Sequence, residues 1–170
     1  MQTFARWSLC FFSYCFIGWI WETLYVFVCT GHWENRGLLF GPLLPIYGIG
    51  ALVILYVTTP VKTNPWMIFL LGMLGASAVE YIGGSLLEIV FHTRYWDYTG
   101  TFLNVHGHIS LLSSIVWGVF SIFLVKWIHP ELNQHIGTLP KKAGLALACI
   151  LLVVFCVDFM FSSAYTIANS

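Results

Sequence analysis

The chain has 170 residues, 59% hydrophobic and 18% aromatic but only 8% charged, with a mean hydropathy of +0.84. Soluble domains carry roughly 25% charged residues, so these side chains cannot furnish a water-facing surface, and the chain reads as an integral membrane protein in a lipid bilayer. A formal net charge of zero without a basic tract argues against a nucleic-acid partner.

Five stretches are long enough to cross a hydrocarbon core, which takes about 20 residues: approximately 7–29, 42–59, 66–91, 109–128 and 143–164. The expected fold class is therefore all-α, a polytopic transmembrane helix bundle of about five spans forming one integral membrane domain over 1–170. The first apolar run is too long for a removable signal peptide, carries Glu22 and lacks a small-residue cleavage site, so it is expected to remain as the first span. Trp7, Trp33, Trp66, Trp96 and Trp127 fall near the predicted span ends, where indoles prefer the headgroup region. Cys10, Cys15, Cys29, Cys149 and Cys156 are scattered through apolar runs with no C-x-x-C spacing, as buried hydrophobes would be.

Between the first two spans, Trp33 to Gly50 runs from Glu34, Asn35 and Arg36 directly into an apolar stretch with Pro42 and Pro45. Proline removes a backbone donor and glycine permits sharp bends. One reading is a segment that re-enters the membrane, where irregular backbone survives only if protein or a watery cavity satisfies it. The other is a helix start with prolines in its first turn. Both place a polar cluster at the end of a buried region.

With five spans, Arg6, Lys62, Lys126, Lys141 and Lys142 lie on one side, and Arg36 and Arg94 on the other. The positive-inside rule then puts the N-terminus in the cytoplasm and the C-terminus outside. In that orientation Glu22, Glu88 and Asp158 occupy the outer halves of their helices, with Glu80 nearer the middle. A helix-pair repeat is also legible. Gly18-Trp19-Ile20-Trp21-Glu22, Trp33-Glu34 and Pro45-Ile46-Tyr47-Gly48 are echoed by Gly84-Ser85-Leu86-Leu87-Glu88, Trp96-Asp97 and Ser114-Ile115-Val116-Trp117-Gly118. The spacings differ between the halves, so duplication and chance both remain open.

A carboxylate at the centre of an isolated helix costs about 2.5–3.5 kcal/mol on insertion scales, so Glu80 is expected to face protein or water. Gly72, Ala76, Gly83 and Gly84 give its helix a small-residue face suited to close packing. Glu88 shares a face with Ser77, Tyr81, Gly84 and Ser85, and Glu22 with Tyr14, Gly18 and Tyr25. On the fourth span Ser110, Ser113, Ser114, Trp117, Gly118 and Ser121 make a polar stripe at helical spacing. The functional reading is a substrate-binding pocket lined by Glu22, Glu80 and Glu88, with Arg36 and Arg94 near its mouth and Asn35, Asp97 and Asn104 as further binding residues. The bland reading is that these groups pair, for example Glu22 with Arg36, and merely fasten helices.

His106-x-His108 near Asp97 is a weak metal pattern, and hydrogen bonding at the boundary is the preferred role, so no metal site and no cofactor are assigned. Asp97, within the aromatic run Tyr95-Trp96-Asp97-Tyr98, reads either as a site acid or as the cap of a turn. No catalytic residue is assigned, because the serines and cysteines lack a nucleophile elbow or paired base, and no G-x-x-x-x-G-K-[ST] loop marks a P-loop ATPase.

Asn35-Arg36-Gly37, Gly41-Pro42, Pro45-Ile46-Tyr47-Gly48, Glu80-Tyr81, Trp96-Asp97-Tyr98, Asn104, Gly107-x-Ile109 and Trp117-Gly118 occur in an order that resembles a bacterial family. It is the family of putative ABC-transporter type IV membrane proteins, the CmpB-like permeases, and the similarity runs from about 12 to 130. The resemblance implies a small multi-pass protein of the inner cell membrane, a transporter permease, with a separate ATPase subunit as partner. One copy offers few helices for a pathway, so a homo-oligomer is expected. The leading function is a transport component that captures a small solute in an outward-facing pocket. The alternatives are a membrane-embedded enzyme that binds a lipid headgroup and acts on a lipid-linked or envelope substrate, and a non-catalytic membrane scaffold.

Overall fold

The computed structural model describes residues 2–33 and 35–169; Glu34, grouped above with Asn35 and Arg36, lies outside the described residues. The regular structure among them is helical, apart from one isolated antiparallel bridge between Val105 and Ile109. In chain order the elements are α1 (Gln2–Thr30), α2 (Pro45–Thr58) with a 3-10 turn at Thr59–Val61, α3 (Pro65–Phe91), α4 (Leu111–Phe123), a π-helical turn at Leu124–Ile128, α5 (His129–Thr138) and α6 (Lys141–Asn169).

Among the described residues, four helices are long and apolar enough to cross a membrane: Thr3–Thr30, Pro65–Phe91, Leu111–Thr138 and Lys141–Asn169. The apolar helix Pro45–Val61 is shorter. Helix ends follow local chemistry. Pro45 opens α2 where a missing N–H costs nothing, and the described residues between Gly31 and Leu44 are irregular. Asn64 caps α3 by accepting from the N–H groups of Trp66 (3.0 Å) and Met67 (3.4 Å), with Pro65 next in line. His92 ends α3 in a left-handed conformation, φ 51°. Ser110 and Ser113 form a reciprocal capping box at the start of α4.

The fourth predicted span runs further than its sequence suggests. Beyond 128, where that span was expected to end, the helix continues from α4 without a break to Thr138. The π turn at Leu124–Ile128 lies directly before Pro130, whose ring would clash with the carbonyl four residues back in a regular α-helix. There the Lys126 Nζ donates to the Lys62 carbonyl at 2.7 Å.

Backbone contacts divide the chain into two compact units, one comprising the residues up to Gly48 and from Asn133 onward, the other Ile49–Leu132. In the first unit, Ala5 and Leu9 of α1 and Ala148 of α6 form a buried core flanked by Ile136, Leu145 and Leu151. Phe11 and Phe12 meet Phe155 edge-on, at centroid separations of 6.4 and 5.8 Å. Arg6 ties in the end of α5, donating from Nε to Asn133 Oδ1 at 2.6 Å. In the second unit α3 packs along α4, with Ser121 against Gly72, Phe69 against Gly118, and the Ser77 hydroxyl donating to Ser114 at 2.8 Å. Small residues and hydroxyl contacts are what hold helices together where lipid removes the hydrophobic drive. Elsewhere large apolar side chains stand exposed, among them Ile150, Val153, Met160 and Phe161 of α6, as a lipid-facing surface requires.

Candidate functional site

Each unit carries its own polar cluster. In the first, the Tyr47 hydroxyl donates to a Glu22 carboxylate oxygen at 2.7 Å, and the Arg36 guanidinium stands 3.8 Å from the other oxygen. Gly18 makes this possible: a Cβ there would collide with the Tyr47 ring, so only glycine lets α1 come this close. Asn35 organises the irregular segment by accepting from Trp19 Nε1 (2.8 Å) and donating to the carbonyls of Leu39 (3.2 Å) and Phe40 (2.9 Å). Asp158 of α6 completes the arrangement. It accepts the backbone N–H groups of Phe40 (3.2 Å) and Gly41 (2.9 Å) and the Ser162 hydroxyl (3.0 Å). The Leu44 N–H reaches the Cys15 carbonyl at 3.1 Å. The N–H groups of Phe40, Gly41 and Leu44 thus find protein acceptors, as irregular backbone in an apolar setting requires.

In the second unit, Glu80 lies midway along α3 and is only 6% exposed. One carboxylate oxygen accepts from the Tyr98 hydroxyl at 3.0 Å and the other from the Ser113 hydroxyl at 3.3 Å. Two turns toward the C-terminus, Glu88 accepts from Arg94 Nε at 2.8 Å and lies 3.2 Å from His108 Nε2. Arg94 also reaches Asp97 at 3.3 Å. Trp96 Nε1 donates to the His108 carbonyl at 2.9 Å, and Tyr81 bonds His106 Nδ1 through its hydroxyl at 2.9 Å.

The loop carrying these groups, 92–110, is internally stiffened. Asp97 Oδ1 accepts from the Thr99 hydroxyl (2.5 Å) and N–H (2.8 Å), the geometry of a capped turn. Those bonds, with Arg94 beside them, hold the Asp97 carboxyl below its ordinary range, and the Glu88 hydrogen bond raises the Arg94 guanidinium. Asn104 is exposed; it donates to the Thr101 carbonyl (3.0 Å) and accepts from Gly107 N–H (3.3 Å). Among the described residues no three His, Cys, Asp or Glu side chains converge as a metal site would need.

The family described as "Putative ABC-transporter type IV" matches residues 9–163. The chain belongs to that family. No curated protein and no solved structure matches it.

For this type IV family member, the structure sorts the residues singled out from sequence into two groups. Glu22, Asn35 and Arg36 come together in one unit, and Glu80, Glu88, Arg94, Asp97 and Asn104 belong to the other. Tyr47, Tyr98, Ser113, His108 and Asp158 hold those acids or the loops around them, yet sequence reasoning gave them no place in the site. Ser113 belonged to a recognised polar stripe, and Asp158 is the one acid of α6. Nothing in their spacing says which carboxylate or backbone amide they meet.

Proposed function

We propose that this chain is the membrane-embedded component of a small-solute transport system, with Glu80 as the intramembrane carboxylate on which the transport step depends. Family membership and the long apolar helices support a transporter component. The observation that carries the role of Glu80 is its burial in the middle of an apolar helix between two neutral hydroxyl donors, Tyr98 and Ser113. A carboxylate kept at such depth is costly to retain for packing alone. Hydroxyls satisfy it and can also turn to accept when it binds a proton or a solute donor. Counted with α2 as a span, the charge distribution puts the N-terminus in the cytoplasm and both polar clusters toward the extracytoplasmic face, so a solute would enter from there. Glu88, Arg94, Asp97 and Asn104 are the accompanying binding groups in the unit of Glu80, and Glu22, Asn35 and Arg36 are the binding groups of the other unit's own cluster. A separate ATPase subunit is the partner that the family description suggests. A homo-oligomer would supply the helices that one copy lacks.

A second reading, a non-catalytic scaffold, is favoured by the pairing of Glu22 with Arg36 and of Glu88 with Arg94. The two readings separate in cells that lack the protein and are then supplied with wild type or Glu80→Gln, with intracellular solutes profiled without preselection. Under the transport reading Glu80→Gln reaches the membrane at wild-type abundance yet fails to restore the profile. Under the scaffold reading Glu80→Gln and Arg36→Gln lower abundance in the membrane, and any change in solutes simply follows that loss.

A further inference from the structure

Glu80, Gly84 and Glu88 are spaced by four on α3, so they share one face at about 6 Å per step and about 12 Å overall. Glu88 stands at the accessible end, its side chain 37% exposed, and Glu80 is buried. The middle position has no side chain of its own. The space is filled by the His108 ring: a Cβ built on Gly84 would lie 2.8 Å from His108 Nδ1. The same ring places Nε2 3.2 Å from Glu88, and its side chain is 7% exposed.

We propose that His108 relays protons between Glu88 and Glu80, so that a proton is the ion moved through this site. The inference rests on the transport reading of Glu80 given above. Imidazole suits the task because one nitrogen can take a proton while the other releases one. A proton from the accessible side binds Glu88 and passes to His108 Nε2. The ring then gives up its Nδ1 proton, through water, toward the carboxylate of Glu80, which lies one helical turn from Gly84 along α3. Glu80 re-ionises toward the hydroxyl seam of Ser77 with Ser114, and a ring rotation or tautomer exchange resets the imidazole. One proton enters and one leaves, with no change of oxidation state.

The groups facing His108 fit this role. From α3 come Glu88 and the edge-on ring of Tyr81, at 5.7 Å between centroids. From the 92–110 loop come Arg94 and Asp97, which share the Glu88 network, and His106, held by the Tyr81 hydroxyl. Trp96 covers the column, its ring 3.0 Å from a Cβ on Gly84 and its Nε1 bonded to the His108 carbonyl, so the backbone that carries the imidazole is held while the ring's protons exchange.

The test uses the purified full chain in liposomes loaded with pyranine, with a potassium diffusion potential, interior negative, as the driving force. Wild-type vesicles should acidify well above the rate of empty liposomes. Glu80→Gln should fall to the empty-liposome rate, and His108→Gln should be slowed at least tenfold. Gly84→Ala is the second variant: it removes no titratable group but pushes a methyl into the ring, and it too should slow the flux if His108→Gln does not fold. The proposal is overturned by wild-type vesicles as proton-tight as empty ones, or by a folded His108→Gln or Gly84→Ala protein that carries the wild-type flux. Proton-tight vesicles alongside Glu80-dependent solute profiles in cells would remove this inference and leave the transport reading standing; loss of both effects would remove both.

Discussion

The Asp158 carboxylate stands 2.9 Å from the backbone N–H of Gly41, with a second bond to the N–H of Phe40 at 3.2 Å. A residue of the last helix thereby supplies acceptors to a segment that follows the first, more than a hundred positions earlier in the chain. Hydrogen bonds from neutral donors to a charged acceptor contribute roughly 1.5–3 kcal/mol, and a buried donor left unsatisfied costs about 1–3 kcal/mol. Asp158→Leu should therefore lower thermal stability in detergent clearly. Asp158→Asn, which keeps one acceptor oxygen, should fall between it and wild type. Equal melting temperatures for wild type and Asp158→Leu would show that these bonds do not anchor the segment.

Tyr47 and Glu22 give a smaller, local effect. Tyr47→Phe deletes one donor to a carboxylate that keeps its Arg36 contact, so the loss should be of the order of 1 kcal/mol and the protein should remain folded. Gly18→Leu acts on the same pair more severely, because the new side chain occupies the space of the Tyr47 ring. Detergent melting curves should rank the three proteins as wild type, Tyr47→Phe, Gly18→Leu, from most to least stable.

The Thr99 bonds to Asp97 predict a specific pH signature. They depress the Asp97 carboxyl below its ordinary value of 3.8, so their stabilisation is fully present above that value. It is lost as the pH falls through the lower, folded-state value. Thr99→Ala retains the backbone bond but not the hydroxyl. It should be less stable than wild type near pH 6, and the difference should shrink as the pH drops through and below 3.8. Melting temperatures across that range provide the check, and a gap that stays constant with pH would contradict the assignment.

The length of α2 decides where the ends of the chain lie. Pro45–Val61 is 17 residues, about 25 Å as a helix against a hydrocarbon core of about 30 Å. The apolar segment just before it, with Leu39 and Leu44 buried, can cover the shortfall. With α2 as a span, reporters fused to the N- and C-termini should register on opposite sides of the membrane, the N-terminus inside. An impermeant thiol reagent added from outside should reach Arg94→Cys and spare Lys62→Cys in a background without native cysteines. Both termini on one side would mean that α2 does not cross.

Composition was enough to establish a helical membrane protein, because a chain so poor in charge has no other way to satisfy its backbone and surface. The apolar runs placed α1, α3, α4 and α6 to within a few residues, apart from the extension through the π turn to Thr138, where a proline disguised a continuous helix. The ordered motifs pointed to the family that the whole-chain match then showed. The costly acids Glu22, Glu80 and Glu88 stood out for the same solvation reason. Which groups answer them was not readable. Tyr47 for Glu22, Tyr98 and Ser113 for Glu80, His108 for Glu88 and Asp158 for the backbone of Phe40 and Gly41 are pairings across 18 to 118 positions. Helical periodicity reports the face on which a side chain sits, but its partner depends on how separate helices and loops pack, and that was settled only in three dimensions.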